Sequence, residues 1–246
     1  MVRRVRLGAC LAAVAAIAAS SAHANNVDGA WSAVMPWPLI SAHVVLMPDG
    51  RVMSYGTDGT GKQTGYFIYD VWDPQADPSS SHLTLPNMTL TDIFCGSQVV
   101  LPQGGNVFLA GGDNWTGTGT TNTGNNNTNL FSYSANTLTR SNNLKRARWY
   151  SGTTVLLNGE IYTQGGSGGT DFPEIRGVDG VSRLMTGANT NTLAFQYPRN
   201  FVAPDGRIFG FDSNGRMYYV DTTGLGSITM LGQTPSGVRT RPVVST

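Results

Sequence analysis

Ser41-Ala42-His43-Val44-Val45-Leu46-Met47-Pro48-Asp49-Gly50-Arg51-Val52-Met53-Ser54-Tyr55-Gly56 is the stretch that decides the fold. Branched and aromatic residues run up to Pro-Asp-Gly and resume after it, the pattern of a strand, a tight turn and a returning strand. Asp-Gly supplies the positive φ that two-residue hairpin turns require. The same pattern recurs over 98–112 around Gly104-Gly105 and over 153–166 around Asn158-Gly159. A weaker fourth copy runs over 200–210 around Asp205-Gly206.

The turn glycines Gly50, Gly105, Gly159 and Gly206 lie 55, 54 and 47 residues apart. A period of about 50 residues is that of kelch-type propeller blades, small antiparallel sheets that bury their faces only against neighbouring blades. The expected fold is therefore all-β, a kelch-type β-propeller with four blades in view. Further strands are expected over 67–73, 129–133 and 217–221. Gly111-Gly112 and Gly165-Gly166 close the second strand where a side chain would crowd an approaching backbone. Two tracts break the pattern. Residues 113–129, rich in Gly, Thr and Asn with Trp115 as the only large apolar residue, read as a long mobile loop. Residues 168–191 are poor in strand signal.

Arg3, Arg4 and Arg6, the apolar run from Leu11 to Ala19 and the small-residue site Ala22-His23-Ala24 form an export signal cleaved after Ala24. Its apolar run is too short for a permanent membrane helix, which needs about 20 residues. The expected location is secreted or periplasmic, and residues 25–246 form one partial propeller domain. Sixteen basic against fifteen acidic residues leave a near-neutral chain with no basic stripe, which argues against nucleic acid as a partner. Export removes Cys10 and leaves Cys95 alone, so no internal disulfide is possible in the mature chain. An odd cysteine in a secreted protein is bridged between molecules, reactive or modified.

Cys95 stands in Asp92-Ile93-Phe94-Cys95-Gly96, and one repeat later comes Arg146-Ala147-Arg148-Trp149-Tyr150-Ser151-Gly152. With these two motifs in consecutive blades, the chain resembles the N-terminal half of the galactose oxidase and glyoxal oxidase family of copper-radical oxidases, over residues 30–246. The resemblance implies a thioether joining Cys95 to the ring of Tyr150. Tyr150 is then both a copper ligand and the store of one oxidising equivalent, and copper and the self-generated Cys–Tyr cofactor are the expected cofactors. The implied reaction oxidises a small-molecule alcohol, aldehyde or carbohydrate and reduces O2 to H2O2, with no nucleic acid or membrane partner. Arg199 falls near the family's substrate-facing arginine. The competing function is a non-catalytic kelch module that binds carbohydrate or protein at its rim.

The family's remaining copper ligands are a Tyr-His pair and a further histidine. This chain has only His23, His43 and His82, none in a Tyr-His pair. Four blades cannot close the family's roughly seven-bladed ring, so the chain is expected to be truncated and its copper site incomplete. The family's stacking tryptophan after the third blade's Gly-Gly is also missing, since that place reads Gly165-Gly166-Ser167-Gly168-Gly169. His43 is expected to be a hydrogen-bonded structural residue and His82 an exposed one in a Ser-rich linker. Arg148 is expected to pack its stem between blades, and Glu174 to be a rim carboxylate without a special role.

Overall fold

The computed structural model describes residues 29, 31–117 and 119–235, so the export signal over 1–24 lies outside the described residues. The chain divides into Met1–Pro36 and Trp37–Thr246, and every described strand belongs to the second unit. Four antiparallel sheets of four strands follow one another along it. The first is β1 (Ile40–Leu46), β2 (Val52–Thr57), β3 (Ile68–Trp72) and β4 (His82–Pro86), paired in that order. The second pairs β5 (Ser97–Val100) with β6 (Val107–Ala110), which is separated in sequence from its next partners by a hairpin, β7 (Asp113–Thr116) and β8 (Gly119–Gly124). Its outer strands are β9 (Thr128–Ser132) and β10 (Thr137–Ser141). The third comprises β11 (Trp149–Val155), β12 (Ile161–Ser167), β13 (Glu174–Arg176) and β14 (Ser182–Leu184). The fourth comprises β15 (Arg199–Val202), β16 (Ile208–Phe211), β17 (Arg216–Asp221) and β18 (Ser227–Gln233).

Three of the four repeat hairpins are closed by the same local device. Asp49, Asn158 and Asp205 accept the backbone N–H two residues on, at 3.1, 3.1 and 3.0 Å, and Gly50, Gly159 and Gly206 follow at positive φ. The turns form a row. A Cβ built on Gly105 would come within 2.6 Å of Pro48 Cγ, one on Gly159 within 2.6 Å of Gln103 Nε2, and one on Gly206 within 3.8 Å of Leu157 Cδ1. Each turn thus lies against the turn of the preceding sheet, as stacked repeats require.

The core sits between consecutive sheets. Met53, Tyr55, Tyr69 and Val71 of the first sheet pack on Val107, Leu109 and Phe131 of the second. Phe108 and Ala110 pack on Ile161, and Leu156, Tyr162 and Ile175 on Ile208, Tyr218 and Val220. Alternation along each strand sends one set of side chains to the preceding sheet and the other to the following one. This is an all-β, propeller-like arrangement.

Three expectations are corrected. The tract 113–129 is no loop: Asp113 pairs with Gly124, Trp115 with Thr120 and Thr116 with Gly119. The Asp113 carboxylate accepts the N–H groups of Asn114 and Thr123, and Trp115 stacks on Tyr66 at 5.3 Å between centroids. The tract 168–191 supplies β13 and β14, the outer strands of the third sheet. His82 is no exposed linker residue but opens β4, with Nδ1 2.7 Å from the buried Asp70 carboxylate and its ring edge-on to Trp37.

Candidate active site

The inner strands of the second, third and fourth sheets begin alike. Cys95, Tyr150 and Tyr197 each have positive φ, 56°, 71° and 45°. Bulky residues avoid this region at a cost of about 1–3 kcal/mol each, so their surroundings must hold them there. Backbone hydrogen bonds do so: Tyr150 N donates to Cys95 O at 3.0 Å, and Tyr197 N to Tyr150 O at 2.7 Å. The glycine pairs make room. A Cβ on Gly111 would lie 2.0 Å from Arg148 O, one on Gly112 2.1 Å from Asp92 O, and one on Gly165 2.4 Å from Phe195 O.

Arg148 fixes the segment that leads into Tyr150. Its side chain is fully buried and donates to the carbonyls of Gly165, Gly169 and Phe172 and to the Glu174 carboxylate. Glu174 also accepts the backbone N–H groups of Lys145 and Arg146. The expected stem packing of Arg148 and the rim role of Glu174 are therefore corrected: the two form a buried, fully hydrogen-bonded ion pair. The positive charge of Arg148 makes buried Glu174 tenable, because an unpaired charge at either place would be costly.

The side chains carried by the three left-handed residues converge. The Cys95 thiol, in a residue 7% exposed, lies beside the phenols of both Tyr197 and Tyr150. Those two rings meet edge to face at 5.3 Å. Burial pushes the thiol up to about 11 against the pull of the two phenols, while burial and then the neighbouring thiol push Tyr150 up to about 12. Burial, then Cys95, raises Tyr197 further. At neutral pH the group is uncharged. Trp149 lies over Tyr150 with centroids 4.3 Å apart and planes tilted by 32°.

His43, on β1, joins from the first sheet. Its Nε2 lies 3.2 Å from Tyr197 Oη, and its ring stacks on Tyr55 at 5.0 Å with an 11° interplanar angle. Burial lowers its pKa to about 4 against a hydrogen bond with Gln98, which keeps the imidazole neutral. Gln98 is held in turn, accepting from Tyr55 Oη at 2.7 Å. Cys95 and Tyr150 are therefore brought together, whereas Arg199 carries its guanidinium over the Phe211 ring at 5.7 Å. Tyr197 and His43 escaped the sequence reading as site residues. The repeat held a signal for Tyr197, which follows Tyr150 by 47 residues, the same interval that separates Gly159 from Gly206.

Among the described residues no group of three or more His, Cys, Asp and Glu side chains stands where it could hold a metal ion. Phenols are donors too, and here two phenols, a neutral imidazole and a thiol form one connected set. Copper(II) favours nitrogen and oxygen donors of this kind, so the residues present fit that metal.

No protein-family model matches the chain, and no curated protein sequence matches it either. Among solved structures it is similar to a fungal alcohol oxidase of the AA5 family in complex with copper, at 17% identity and a TM-score of 0.63, over 81% of this chain and 43% of that one. It is also similar to virginiamycin B lyase from Staphylococcus aureus, at 14% identity and a TM-score of 0.50, over 79% of this chain and 55% of that one. The chain spans less than two thirds of either, and likeness at such identity establishes the fold alone.

Proposed function

We propose that this chain carries the cofactor-forming part of an exported copper-radical oxidase of the galactose oxidase and glyoxal oxidase type, which oxidises a primary alcohol or aldehyde and reduces O2 to H2O2. The four sheets are then consecutive blades of a larger kelch-type ring. The observation that supports the reading is the juxtaposition of Cys95 and Tyr150, two residues at positive φ from consecutive sheets whose backbones are tied by a hydrogen bond from Tyr150 N to Cys95 O at 3.0 Å. The likeness to a copper-bound alcohol oxidase agrees with it.

Copper, when bound, would supply one of the two electron acceptors that alcohol oxidation needs. The phenolate of Tyr150 would be among the groups that hold it, and the Cys95–Tyr150 pair would supply the second acceptor. Forming that pair breaks the Cys95 S–H bond and one ring C–H bond ortho to the Tyr150 oxygen. One C–S bond forms, and two protons and two electrons pass to O2 as H2O2. Sulfur on the ring donates electron density and lowers the potential at which the phenol is oxidised. Trp149 covers the ring and limits water around it.

Exposure of the purified chain to Cu(II) and O2 tests the reading. The expected product is two hydrogens lighter, and its Cys95 no longer reacts with thiol reagents. An unchanged mass with a fully reactive thiol would remove the basis for this function.

A non-catalytic binding module is the second reading. A cavity of about 330 Å³ lined by Lys62, Gln63, Trp115 and Thr120 favours it, since aromatic, amide and hydroxyl groups together suit a carbohydrate. A chain that binds oligosaccharide yet never loses the two hydrogens would support that module instead.

A further inference from the structure

We infer that two copies of this chain associate head to tail, the outer face of one copy's fourth sheet seating on the outer face of the other's first sheet. The inference goes beyond the oxidase reading and does not depend on it. Three residues after the first three turn glycines stand Met53, Phe108 and Tyr162, each packed on the following sheet and 0% exposed. The same position in the fourth sheet is Phe209. Its cross-strand partners are Phe201 and Tyr219, where Phe108 has Val99 and Leu130. Val99 and Leu130 pack into the core, whereas Phe201 is 55% exposed and Phe209 and Tyr219 are partly exposed. Phe209 lies 5.6 Å from Tyr219, and Phe201 lies 6.3 Å from Phe211, between ring centroids. A joined aromatic face at positions buried in every preceding sheet marks an interaction surface.

The first sheet leaves the complementary positions open. Two residues after the later turn glycines, Val107, Ile161 and Ile208 are buried against the preceding sheet. Their first-strand partners Val100, Val155 and Val202 pack with them. The equivalents in the first sheet are Val52, partly exposed, and its partner Leu46, 67% exposed. Val44 and Trp72 share that face, and Trp37 packs on Trp72 with centroids 5.2 Å apart. One chain therefore exposes both halves of the interface that its repeat makes three times internally.

Charge identifies a second copy as the occupant. Arg51 pairs with Asp49 and reaches forward to Tyr133 O and Asn136 Oδ1 in the β9–β10 turn of the next sheet. Pro204-Asp205-Gly206-Arg207 repeats Pro48-Asp49-Gly50-Arg51. Arg207 pairs with Asp205 in the same way, lies over the Tyr219 ring and is 42% exposed. The equivalent turn of the first sheet, between β3 and β4, carries Asp73 and Asp77. On a second copy that acidic turn stands where Arg207 needs an acceptor. Two chains of four sheets joined at both ends make eight sheets, within the roughly four to eight blades over which propellers commonly close. Head-to-tail contacts that did not close would grow into open filaments.

Sedimentation velocity of the purified chain tests this. The expected species has twice the mass of one chain and does not grow further with concentration. Phe201→Glu and Leu46→Glu, both at exposed positions, should each weaken association roughly tenfold or more. Val178→Glu, in the exposed β13–β14 turn, should leave it unchanged. Arg207→Glu should weaken association about fivefold, and adding Asp77→Arg should restore it. That charge reversal lies in turns, so it reads the contact even where a glutamate on a sheet face disturbs folding. A wild-type chain that stays monomeric, or that grows into open-ended assemblies, would overturn the inference. So would a dimer that persists in Leu46→Glu, because two fourth sheets would then be meeting face to face.

Discussion

On the oxidase reading proposed above, Cys95 and Tyr150 each serve one chemical purpose. Cys95→Ser replaces a nearly buried sulfur by a slightly smaller oxygen, and stability should change by no more than about 1 kcal/mol. Oxidation should nevertheless fall by on the order of 100-fold, about 2.7 kcal/mol on the barrier, because the ring loses its sulfur substituent. Tyr150→Phe should also weaken copper binding, which Cys95→Ser should leave nearly intact; titration calorimetry separates the two. Asp92 offers a test through pH. Burial raises its carboxyl to about 6 against a hydrogen bond from Phe94, and Oδ2 has no protein partner. The folded chain therefore keeps a proton that the unfolded chain releases near pH 4. Its contribution is full below that pH and is lost as pH rises through about 6. Stability from this group should fall by up to about 3 kcal/mol across the interval, and Asp92→Asn should flatten that part of the profile in denaturant titrations. In sequence, Cys95 and Tyr150 stood out because each lies in a distinctive motif. Tyr197 and His43 did not, because the side chains they meet belong to other sheets.

Strands were legible where alternation was clean and turns carried Asp-Gly or Asn-Gly, as in β1 to β2 and β15 to β16. β13 and β14 were hidden for a physical reason. Each is three residues long, and Glu174 and Arg176 are buried charges, which erase the apolar signal that alternation depends on. β7 and β8 were hidden by composition, since Thr, Asn and Gly pair through backbone alone and only Trp115 anchors the hairpin. Glu174→Gln should cost about 3–5 kcal/mol, because Arg148 would keep its charge in a fully buried place without a counterion; a melt close to wild type would show that the pair is dispensable. The glycine pairs permit a controlled comparison. Gly104 and Gly111 both have positive φ, 78° and 68°. A Cβ on Gly104 meets nothing within 4 Å, whereas one on Gly111 meets Arg148 O at 2.0 Å. Gly104→Ala should cost about 1 kcal/mol and Gly111→Ala about 3 kcal/mol or more. Equal costs would mean that backbone conformation alone, and not close approach between sheets, explains Gly111.

Across the molecule, the repeat does more than stack sheets. It brings the starts of successive inner strands to one end, so that His43, Cys95, Tyr150 and Tyr197, one from each sheet, form a single group. The period of the turn glycines was enough to foresee the stacking, and the match of Cys95 to Tyr150 one repeat later was enough to foresee their meeting. It was not enough to foresee the first and fourth sheets touching through His43 and Tyr197, since that contact depends on how far the row of sheets curves. The same geometry leaves Cys95 beside two phenols, and only one of them is expected to react. Tryptic mapping after exposure to Cu(II) and O2 distinguishes them, because cleavage leaves Cys95 in the peptide 63–140, Tyr150 in 149–176 and Tyr197 in 184–199. The account predicts one cross-linked species, 63–140 joined to 149–176 and two hydrogens lighter than their sum. Recovery of 63–140 unlinked with a free Cys95, or joined to 184–199 instead, would contradict it.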